Sequence, residues 1–176
     1  MRAVRVPRIS LKCLTVTGLA LVTLVAGCGG SAPPPPPANA VECLARAMYF
    51  ESNRSSRDGM IAVGSVVMNR VESDAFPDTI CAVVGQPNQF APGVMTSPMD
   101  SKGAALARET AIAVYTGERH PRTAAAKFFH AAWYQANFNN IHYVVTTGGN
   151  AFYEKRRPEH VSTPSPLPPT EGITSG

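Results

Sequence analysis

One carboxylate stands where the helical pattern of the sequence places apolar residues. Glu51 follows Leu44 by seven positions and Met48 by three, so it shares the inward stripe of a predicted helix. A carboxylate buried without a charged partner tends to have a raised pKa and to remain protonated near neutral pH. A glycosidase uses such an acid to protonate the departing sugar oxygen. The same spacing permits a second interpretation, in which Glu51 ends the helix and points to water or pairs with Arg54.

The charge of the chain excludes one large class of function. The 176 residues contain 16 Lys and Arg against 12 Asp and Glu, and four of the basic residues lie within the first twelve positions. The rest of the chain therefore has twelve basic residues against twelve acidic ones and is formally neutral. A neutral domain lacks the basic surface that nucleic-acid binding requires, so no nucleic-acid partner is expected. Neutrality suits an uncharged ligand such as a glycan.

The first 27 residues have the features of an export signal. A basic segment precedes a short apolar run, Cys13 to Ala26, which is too short for a comfortable membrane-spanning helix. The run leads into Val25-Ala26-Gly27-Cys28, which resembles a bacterial lipobox. We therefore expect a lipoprotein signal peptide over 1–27 and acylation of Cys28, which would anchor the exported protein to a membrane, facing the periplasm. Gly29 after Cys28 favours the outer membrane, and an ordinary secretory signal is the alternative.

Proline-rich segments delimit a single folded domain. A linker over 28–38 contains five consecutive prolines, Pro33 to Pro37, and is predicted to be a semi-rigid spacer. A tail over 158–176, rich in Pro, Ser, Thr and Gly, is predicted to be disordered. The folded domain is thus expected over 39–157, and we expect it to act as a monomer.

Within this domain the patterns predict helices first and strands last. Asn39 is a plausible cap of the first helix, and Ser55, three residues before Asp58, has the spacing of a capping box. The segment from Met60 to Met68 is apolar nearly all round, which predicts a buried second helix. A short third helix through Cys81 and an alanine-rich fourth helix capped by Asp100 complete the predicted helices.

The last third of the domain has the pattern of a small antiparallel sheet. Gly148-Gly149 separates two β-rich runs, 141–145 and 150–153, which predicts a hairpin, and 126–130 is a candidate third strand. Helices followed by strands predict an α+β fold. If the protein is exported, Cys43 and Cys81 can form a disulfide in an oxidising compartment, and two buried free thiols are the alternative.

Several segments together resemble the cell-wall hydrolase family typified by the spore-cortex-lytic enzyme SleB. The resemblance covers about 42–157, the whole predicted domain. Each matching segment is short, but the order and spacing of the segments together are specific to the family. The segments that carry it are Tyr49-Phe50-Glu51, Gly59-Met60-Ile61-Ala62-Val63, Val66-Val67-Met68-Asn69-Arg70-Val71, Phe76-Pro77-Asp78-Thr79-Ile80-Cys81, Gln89-Phe90, Phe129-His130-Ala131 and Gly148-Gly149-Asn150-Ala151-Phe152-Tyr153.

The resemblance implies a compact domain similar to lysozyme and lytic transglycosylases. It implies cleavage of the β-1,4 bond between N-acetylmuramic acid and N-acetylglucosamine in peptidoglycan, with Glu51 as general acid and then base. The muramyl 6-hydroxyl would attack the anomeric carbon and leave a 1,6-anhydro end. One departure stands out: the family usually has Ala-Arg-Gly-Glu after its glutamate, so Ser55 replaces a second glutamate.

Five further residues are candidates for binding the substrate. Gln89 and Phe90 offer an amide and a ring in a predicted loop, His130 and Tyr153 are expected near the cleft, and Tyr49 lies two residues before Glu51 in sequence. For Phe90, His130 and Tyr153 the alternative is a structural role in the core. Trp133 and Tyr134 are either a sugar platform or core residues. The set is Tyr49, Gln89, Phe90, His130 and Tyr153.

Three alternative functions stay open at the level of sequence. A hydrolytic muramidase would use water in place of the 6-hydroxyl. A zinc amidase would need ligands such as His120, His130 and His142, but no pair has the spacing of a helical metal site, and we expect no metal and no cofactor. A lipoprotein that binds peptidoglycan without cleaving it would explain the serine at position 55.

Overall fold

The helices of the domain begin and end close to where the sequence predicts. The computed structural model describes residues 38–100 and 102–174, all within one compact unit, Pro34–Gly176. The predicted signal peptide, Cys28 and the proline run lie outside the described residues. In the described part, the α-helices are α1 (Ala38–Glu51), α2 (Arg57–Val71), α3 (Ile80–Val84) and α4 (Gly103–Tyr115), and the strands are β1 (Phe128–Ala131), β2 (Ile141–Thr147) and β3 (Asn150–Lys155).

Helix α2 lies at the centre of the helical layer. Every residue from Asp58 to Val67 is buried, which confirms the prediction of a helix apolar nearly all round. It packs against α1, α3 and α4, and α1 also packs against α3 and α4. Within residues 38–100 and 102–174, no helix has the length and apolar character needed to cross a membrane.

The caps of the helices differ in detail from the predictions. Ser56 caps α2: its Oγ accepts a hydrogen bond from the Gly59 N–H at 2.9 Å. The predicted cap Ser55 instead donates its hydroxyl to Asn53 Oδ1 at 3.1 Å, within the turn before the helix. Helix α1 begins one residue before the predicted cap Asn39, and α4 begins at Gly103 without a side-chain cap, so Asp100 does not have the predicted role.

The strands form one antiparallel sheet in the order β1-β3-β2. Gly148 and Gly149 connect β2 to β3 with φ of 57° and 83°, a left-handed pair that glycine adopts without strain and that confirms the predicted hairpin. Gly148 also contacts Gly59 of α2, backbone to backbone. A side chain at either position would separate the sheet from the helical layer, so the absence of side chains lets the two layers meet.

The disulfide predicted from the sequence is present. Cys43 of α1 and Cys81 of α3 are joined, with their Cα atoms 5.3 Å apart and a sequence separation of 38. The bond fixes the short helix α3 against the first half of α1.

The segment after β3 is ordered along the domain, which corrects the prediction of a disordered tail. A 3₁₀ turn at Pro158–His160 follows β3, and the Tyr143 N–H donates to the Thr163 carbonyl at 2.9 Å. Residues 170–174, which we name the strap, reach back to the start of α2. Their polar groups find partners there, and composition alone does not reveal those partners because they are more than a hundred residues away.

Candidate active site

Glu51 is the last residue of α1, and the hairpin turn holds the helix end in place. The Asn150 side chain donates from Nδ2 to the Glu51 main-chain oxygen at 2.5 Å. The Asn53 N–H donates to the Gly148 carbonyl at 2.8 Å. Two hydrogen bonds therefore join the sheet to the chain on both sides of Ser52. The position of Glu51 depends on the sheet as well as on its own helix.

The Glu51 side chain is half-buried and held by a main-chain donor. Its Oε1 accepts a hydrogen bond from the Ala91 N–H. Burial raises the pKa of Glu51 from the usual 4.5, while the Ala91 hydrogen bond and the positive charge of Arg70 act to lower it. Burial is the larger effect, so the proton is held more tightly than on a free carboxyl group. This is the environment that the position of Glu51 on the apolar stripe predicts.

The segment from Gln89 to Ala91 forms one wall of the Glu51 environment. Phe90 is half-buried, with its ring centroid 6.3 Å from that of Phe129. Because Ala91 hydrogen-bonds to Glu51, its neighbour Phe90 is brought to the same site. The Gln89 side chain is exposed. The predicted loop thus reaches Glu51 mainly through its backbone.

His130 and Tyr153 lie together in a cluster of rings on the sheet. His130 Nε2 is 2.7 Å from the Tyr143 hydroxyl, and the His130 and Tyr153 ring centroids are 5.6 Å apart. Tyr153 lies on the central strand, paired with Phe128 on one side and Tyr143 on the other. Burial raises the pKa of the Tyr153 hydroxyl, against the positive charge of Arg70.

Arg70 is a residue of the site whose role the sequence patterns do not predict. Arg70 is only 3% exposed, and its Nε donates to the Lys127 carbonyl at 2.8 Å. Its guanidinium lies 5.1 Å from the Phe76 ring centroid and 5.3 Å from that of Phe90, both cation–π distances. One terminal nitrogen is buried without a hydrogen-bond partner. An arginine two residues after the apolar segment that ends at Met68 was the available signal.

The charge of Arg70 connects the two halves of the site. It acts on the carboxyl group of Glu51 and on the hydroxyl of Tyr153, favouring the ionised form of each. Burial in turn lowers the pKa of Arg70, and the two acids oppose that effect. The positive charge of buried Arg70 therefore acts on Glu51 of the helical layer and on Tyr153 of the sheet, while its guanidinium packs on the Phe90 ring.

Tyr49 does not lie at the surface with the other candidates. It is 1% exposed, and its ring meets that of Phe50 edge-on at a centroid distance of 4.9 Å. The guanidinium of Arg54 lies 4.4 Å from the same ring. Residues two positions apart on a helix point in different directions, and here Tyr49 points into the core. The predicted contact of Tyr49 with substrate is therefore corrected to a packing role beneath the end of α1.

Together these features define a class of protein. Four helices, a three-stranded antiparallel sheet and a half-buried glutamate at the end of the first helix form a lysozyme-like α+β domain. The chain belongs to the cell wall hydrolase family, whose profile matches residues 54–153. The matched region includes Arg70, Phe90, His130 and Tyr153, and it begins three residues after Glu51.

Curated relatives match a shorter stretch of the chain. The spore cortex-lytic enzyme of Oceanobacillus iheyensis is 36% identical over 58 residues, which is 33% of this chain and 21% of that protein. The spore cortex-lytic enzyme of Bacillus cereus is 36% identical over 62 residues, 35% of this chain and 24% of that protein. The matched stretch thus spans about a fifth to a quarter of the length of these relatives.

Two solved structures share the fold. The catalytic domain of the germination-specific lytic transglycosylase SleB from Bacillus anthracis superposes with a TM-score of 0.56 at 23% identity, covering 70% of this chain and 100% of that domain. The catalytic domain of the Bacillus cereus SleB protein gives 0.52 at 25% identity, covering 71% and 100%. These similarities confirm the α+β, lysozyme-like fold and the family resemblance drawn from the sequence.

Proposed function

We propose that this protein is a lytic transglycosylase that cleaves the β-1,4 bond between N-acetylmuramic acid and N-acetylglucosamine in peptidoglycan, acting as a monomer. The observation that carries the proposal is the half-buried Glu51 carboxyl group, held by the Ala91 N–H and favoured in its protonated form by burial. Membership of the cell wall hydrolase family supports the substrate class, and the SleB catalytic domains share the fold.

The reaction would use Glu51 twice. Protonated Glu51 donates its proton to the glycosidic oxygen as the bond from that oxygen to the muramyl anomeric carbon breaks. The resulting carboxylate then accepts the proton of the muramyl 6-hydroxyl, whose oxygen bonds to the anomeric carbon. The products are a 1,6-anhydromuramyl end and a free N-acetylglucosamine 4-hydroxyl, and Glu51 is protonated again.

The surroundings of Glu51 suit both steps. Burial favours the protonated acid of the first step, and the Arg70 charge and the Ala91 N–H favour the carboxylate of the second. Opposed effects of this kind keep the two protonation states close in free energy. A hydrolytic muramidase would share the first step and replace the 6-hydroxyl with water.

One observation favours a second candidate, a protein that binds peptidoglycan without cutting it. Ser55 stands where the family resemblance places a second glutamate, and among residues 38–100 and 102–174 its exposed hydroxyl hydrogen-bonds within its own turn, to Asn53. For the zinc amidase the geometry offers no comparable support, since the described residues bring no three His, Cys, Asp or Glu side chains together.

Replacement of Glu51 with glutamine tests the proposal. The amide keeps the shape of the side chain and an acceptor for the Ala91 N–H but has no acidic proton. We expect Glu51→Gln to reduce release of muropeptides from purified sacculi by about 10²–10⁴-fold, the usual contribution of a general acid. Mass spectrometry of the wild-type products should find 1,6-anhydromuramyl ends.

Glu72→Gln is the matched control, because Glu72 is an exposed glutamate just after α2. It should digest sacculi at the wild-type rate. Reducing ends among the products would support the muramidase instead. Wild-type protein that sediments with sacculi but releases no muropeptides would support the non-catalytic binder.

We further propose that the protein is exported and attached to the outer membrane through lipid on Cys28, with the catalytic domain in the periplasm. The support is the basic, apolar and small-residue pattern that precedes Cys28. Cells fed radioactive palmitate should label the wild-type chain and leave a Cys28→Ser variant unlabelled. Equal labelling of the wild-type and Cys28→Ser chains would show that the lipid is not attached at Cys28.

A further inference from the structure

The loop between β1 and β2 exposes three aromatic side chains. Trp133 is 82% exposed, Phe138 is 68% exposed and Tyr134 is 46% exposed, the largest exposures among the apolar side chains of the loop. We name residues 132–140 the aromatic loop. Aromatic rings normally bury most of their surface, so a group of three in water indicates a binding surface.

The chemistry of the aromatic loop selects a neutral, hydroxyl-rich ligand. It contains no Lys, Arg, His, Asp or Glu, and its polar side chains are all amides: Gln135, Asn137, Asn139 and Asn140. Anionic lipid surfaces and nucleic acids are bound through basic residues, which the loop lacks. Flat rings match the C–H faces of pyranose sugars, and amides can donate to and accept from hydroxyl and N-acetyl groups.

The aromatic loop begins beside the end of α1. The Ala132 N–H donates to the Gly149 carbonyl at 2.8 Å, and Trp133 is the next residue. Gly149 lies between Gly148 and Asn150, whose hydrogen bonds reach Asn53 and the main chain of Glu51. Trp133 is therefore tied by a short series of hydrogen bonds to the segment that carries the proposed acid.

Two rings of the aromatic loop also connect to the ring cluster around His130. The Tyr134 ring meets the His130 ring edge-on at a centroid distance of 5.3 Å, and Trp133 meets Tyr134 in the same way at 6.4 Å. His130 in turn contacts Tyr143 and Tyr153. These contacts hold the base of the loop, while most of the Trp133 surface stays free for a ligand.

We propose that Trp133, supported by Tyr134, is a stacking platform for one N-acetylated pyranose ring of the glycan strand that Glu51 is proposed to cut. The inference rests on the proposed function for the identity of the strand. It assigns to the aromatic loop a subsite next to the acid, where stacking adds to the binding of substrate rather than to the chemical step.

The chain contains a single tryptophan, so its fluorescence reports on this subsite directly. Full-length protein carrying Glu51→Gln is titrated with a peptide-free tetrasaccharide of alternating N-acetylglucosamine and N-acetylmuramic acid, and the same titration is followed by calorimetry. We expect the tryptophan emission to shift to the blue with the same midpoint as the heat. Calorimetric binding with unchanged emission would overturn the proposal, as would an absence of binding.

Variants separate stacking from a structural role. Trp133→Ala should weaken tetrasaccharide binding about tenfold, and Trp133→Phe, which keeps a ring, should lose much less. Ile112→Ala removes another exposed apolar side chain, on α4, and should bind as the parent does. In the active protein, Trp133→Ala should raise KM with little change in kcat. Equal binding by the alanine and parent proteins would overturn the platform.

Two outcomes distinguish this inference from the proposed function. If Glu51→Gln keeps full activity but the tetrasaccharide still shifts the emission of Trp133, the acid is misassigned and the platform stands. If phospholipid vesicles shift the emission and the tetrasaccharide does not, the aromatic loop binds a membrane and the platform is wrong.

Discussion

At the scale of single residues, the site is organised by two opposed effects on one carboxyl group. Burial raises the pKa of Glu51, and the buried charge of Arg70 limits the rise together with the Ala91 N–H. A group that both donates and accepts a proton in one catalytic cycle needs a pKa that leaves both forms accessible. Arg70 therefore has the properties of a residue that tunes the pKa of Glu51 through its charge.

Arg70→Met tests this role. Removing the positive charge should raise the pKa of Glu51 further, because only burial and the Ala91 hydrogen bond then remain. The proposed general acid loses activity as pH rises through its pKa, so the falling limb of the kcat/KM profile should move to higher pH. Arg70→Lys keeps a charge and should shift the limb less. The measurement is kcat/KM for glycan cleavage across the pH range.

Controls must show that the shift of the pH profile arises neither from unfolding nor from Tyr153, the other acid on which the Arg70 charge acts. Circular dichroism should show that each variant folds. Tyr153→Phe removes the only other acid on which the Arg70 charge is seen to act within residues 38–100 and 102–174, and it should leave the limb in place. A falling limb that stays at the same pH in Arg70→Met would contradict the tuning role.

The sequence predicted the acid but not the cation beside it. Glu51 is conspicuous because its carboxylate interrupts an apolar stripe whose partners are local. Arg70 depends on contacts with Lys127 and Phe90, which come from distant parts of the chain. Tyr49 lies two residues before Glu51 in sequence, which predicts a contact with substrate, but its side chain points into the core.

At the scale of elements, the strap joins the start of α2 to the hairpin turn. Glu171 accepts hydrogen bonds from the Gly148 N–H at 2.7 Å and from the Ser56 hydroxyl at 2.5 Å. Asp58 accepts from the main-chain N–H groups of Ile173 and Thr174, both at 2.7 Å. These bonds fix the turn that holds the main chain of Glu51.

Asp58→Asn should destabilise the domain in a way that depends on pH. Burial alone would raise the pKa of Asp58, but its hydrogen bonds from Thr174 and Ile173 lower it below the usual 3.8. The ionised carboxylate therefore adds stability above about that pH, and this stability is lost as pH falls through the lowered value. At neutral pH we expect Asn to cost about 1–3 kcal/mol, the range for a disrupted buried hydrogen-bonded group.

Urea denaturation at neutral and successively lower pH measures this effect. The difference between wild type and Asp58→Asn should shrink as the solution becomes acidic. Asp74→Asn, at an exposed aspartate after α2, should match the wild type throughout. A difference that stays constant down to the most acidic solution would contradict the assigned role of the carboxylate.

The elements themselves were largely predictable, and the strap was not. Local patterns determine the buried α2 and the glycine hairpin, so both were predicted from sequence. The prediction that 158–176 is disordered relies on composition. A segment with few apolar residues can bury little apolar surface, but it can still be held by polar contacts. The strap is held instead by two carboxylates, and the partners of Asp58 become visible only in the folded chain.

At the scale of the whole molecule, the disulfide stabilises the helical layer at a distance from the proposed chemistry. Cys43 precedes Glu51 by eight residues on the same helix, which corresponds to about 12 Å along its axis. The two features therefore lie in different turns of α1. Stability and catalysis should respond separately to loss of the bond.

Replacing Cys43 and Cys81 together with alanine tests whether stability and catalysis respond separately. Without the cross-link the unfolded chain gains conformational entropy, so the free energy of unfolding should fall by about 3–4 kcal/mol. Below its lowered melting temperature, the variant should cut sacculi at close to the wild-type rate. The measurements are denaturant unfolding and muropeptide release at one temperature. A parallel loss of stability and of activity in fully folded protein would contradict the separation.

The strap also has a consequence for how the protein is made. Ile173 bonds to Asp58 across 115 positions of sequence, so a nascent chain that has just produced α2 must wait for nearly the whole domain before that carboxylate meets its partner. Contacts this distant slow folding, because a large loop must close before they form. Synthesis of the strap thus marks the moment at which α2, the hairpin turn and the end of α1 that carries Glu51 can be joined.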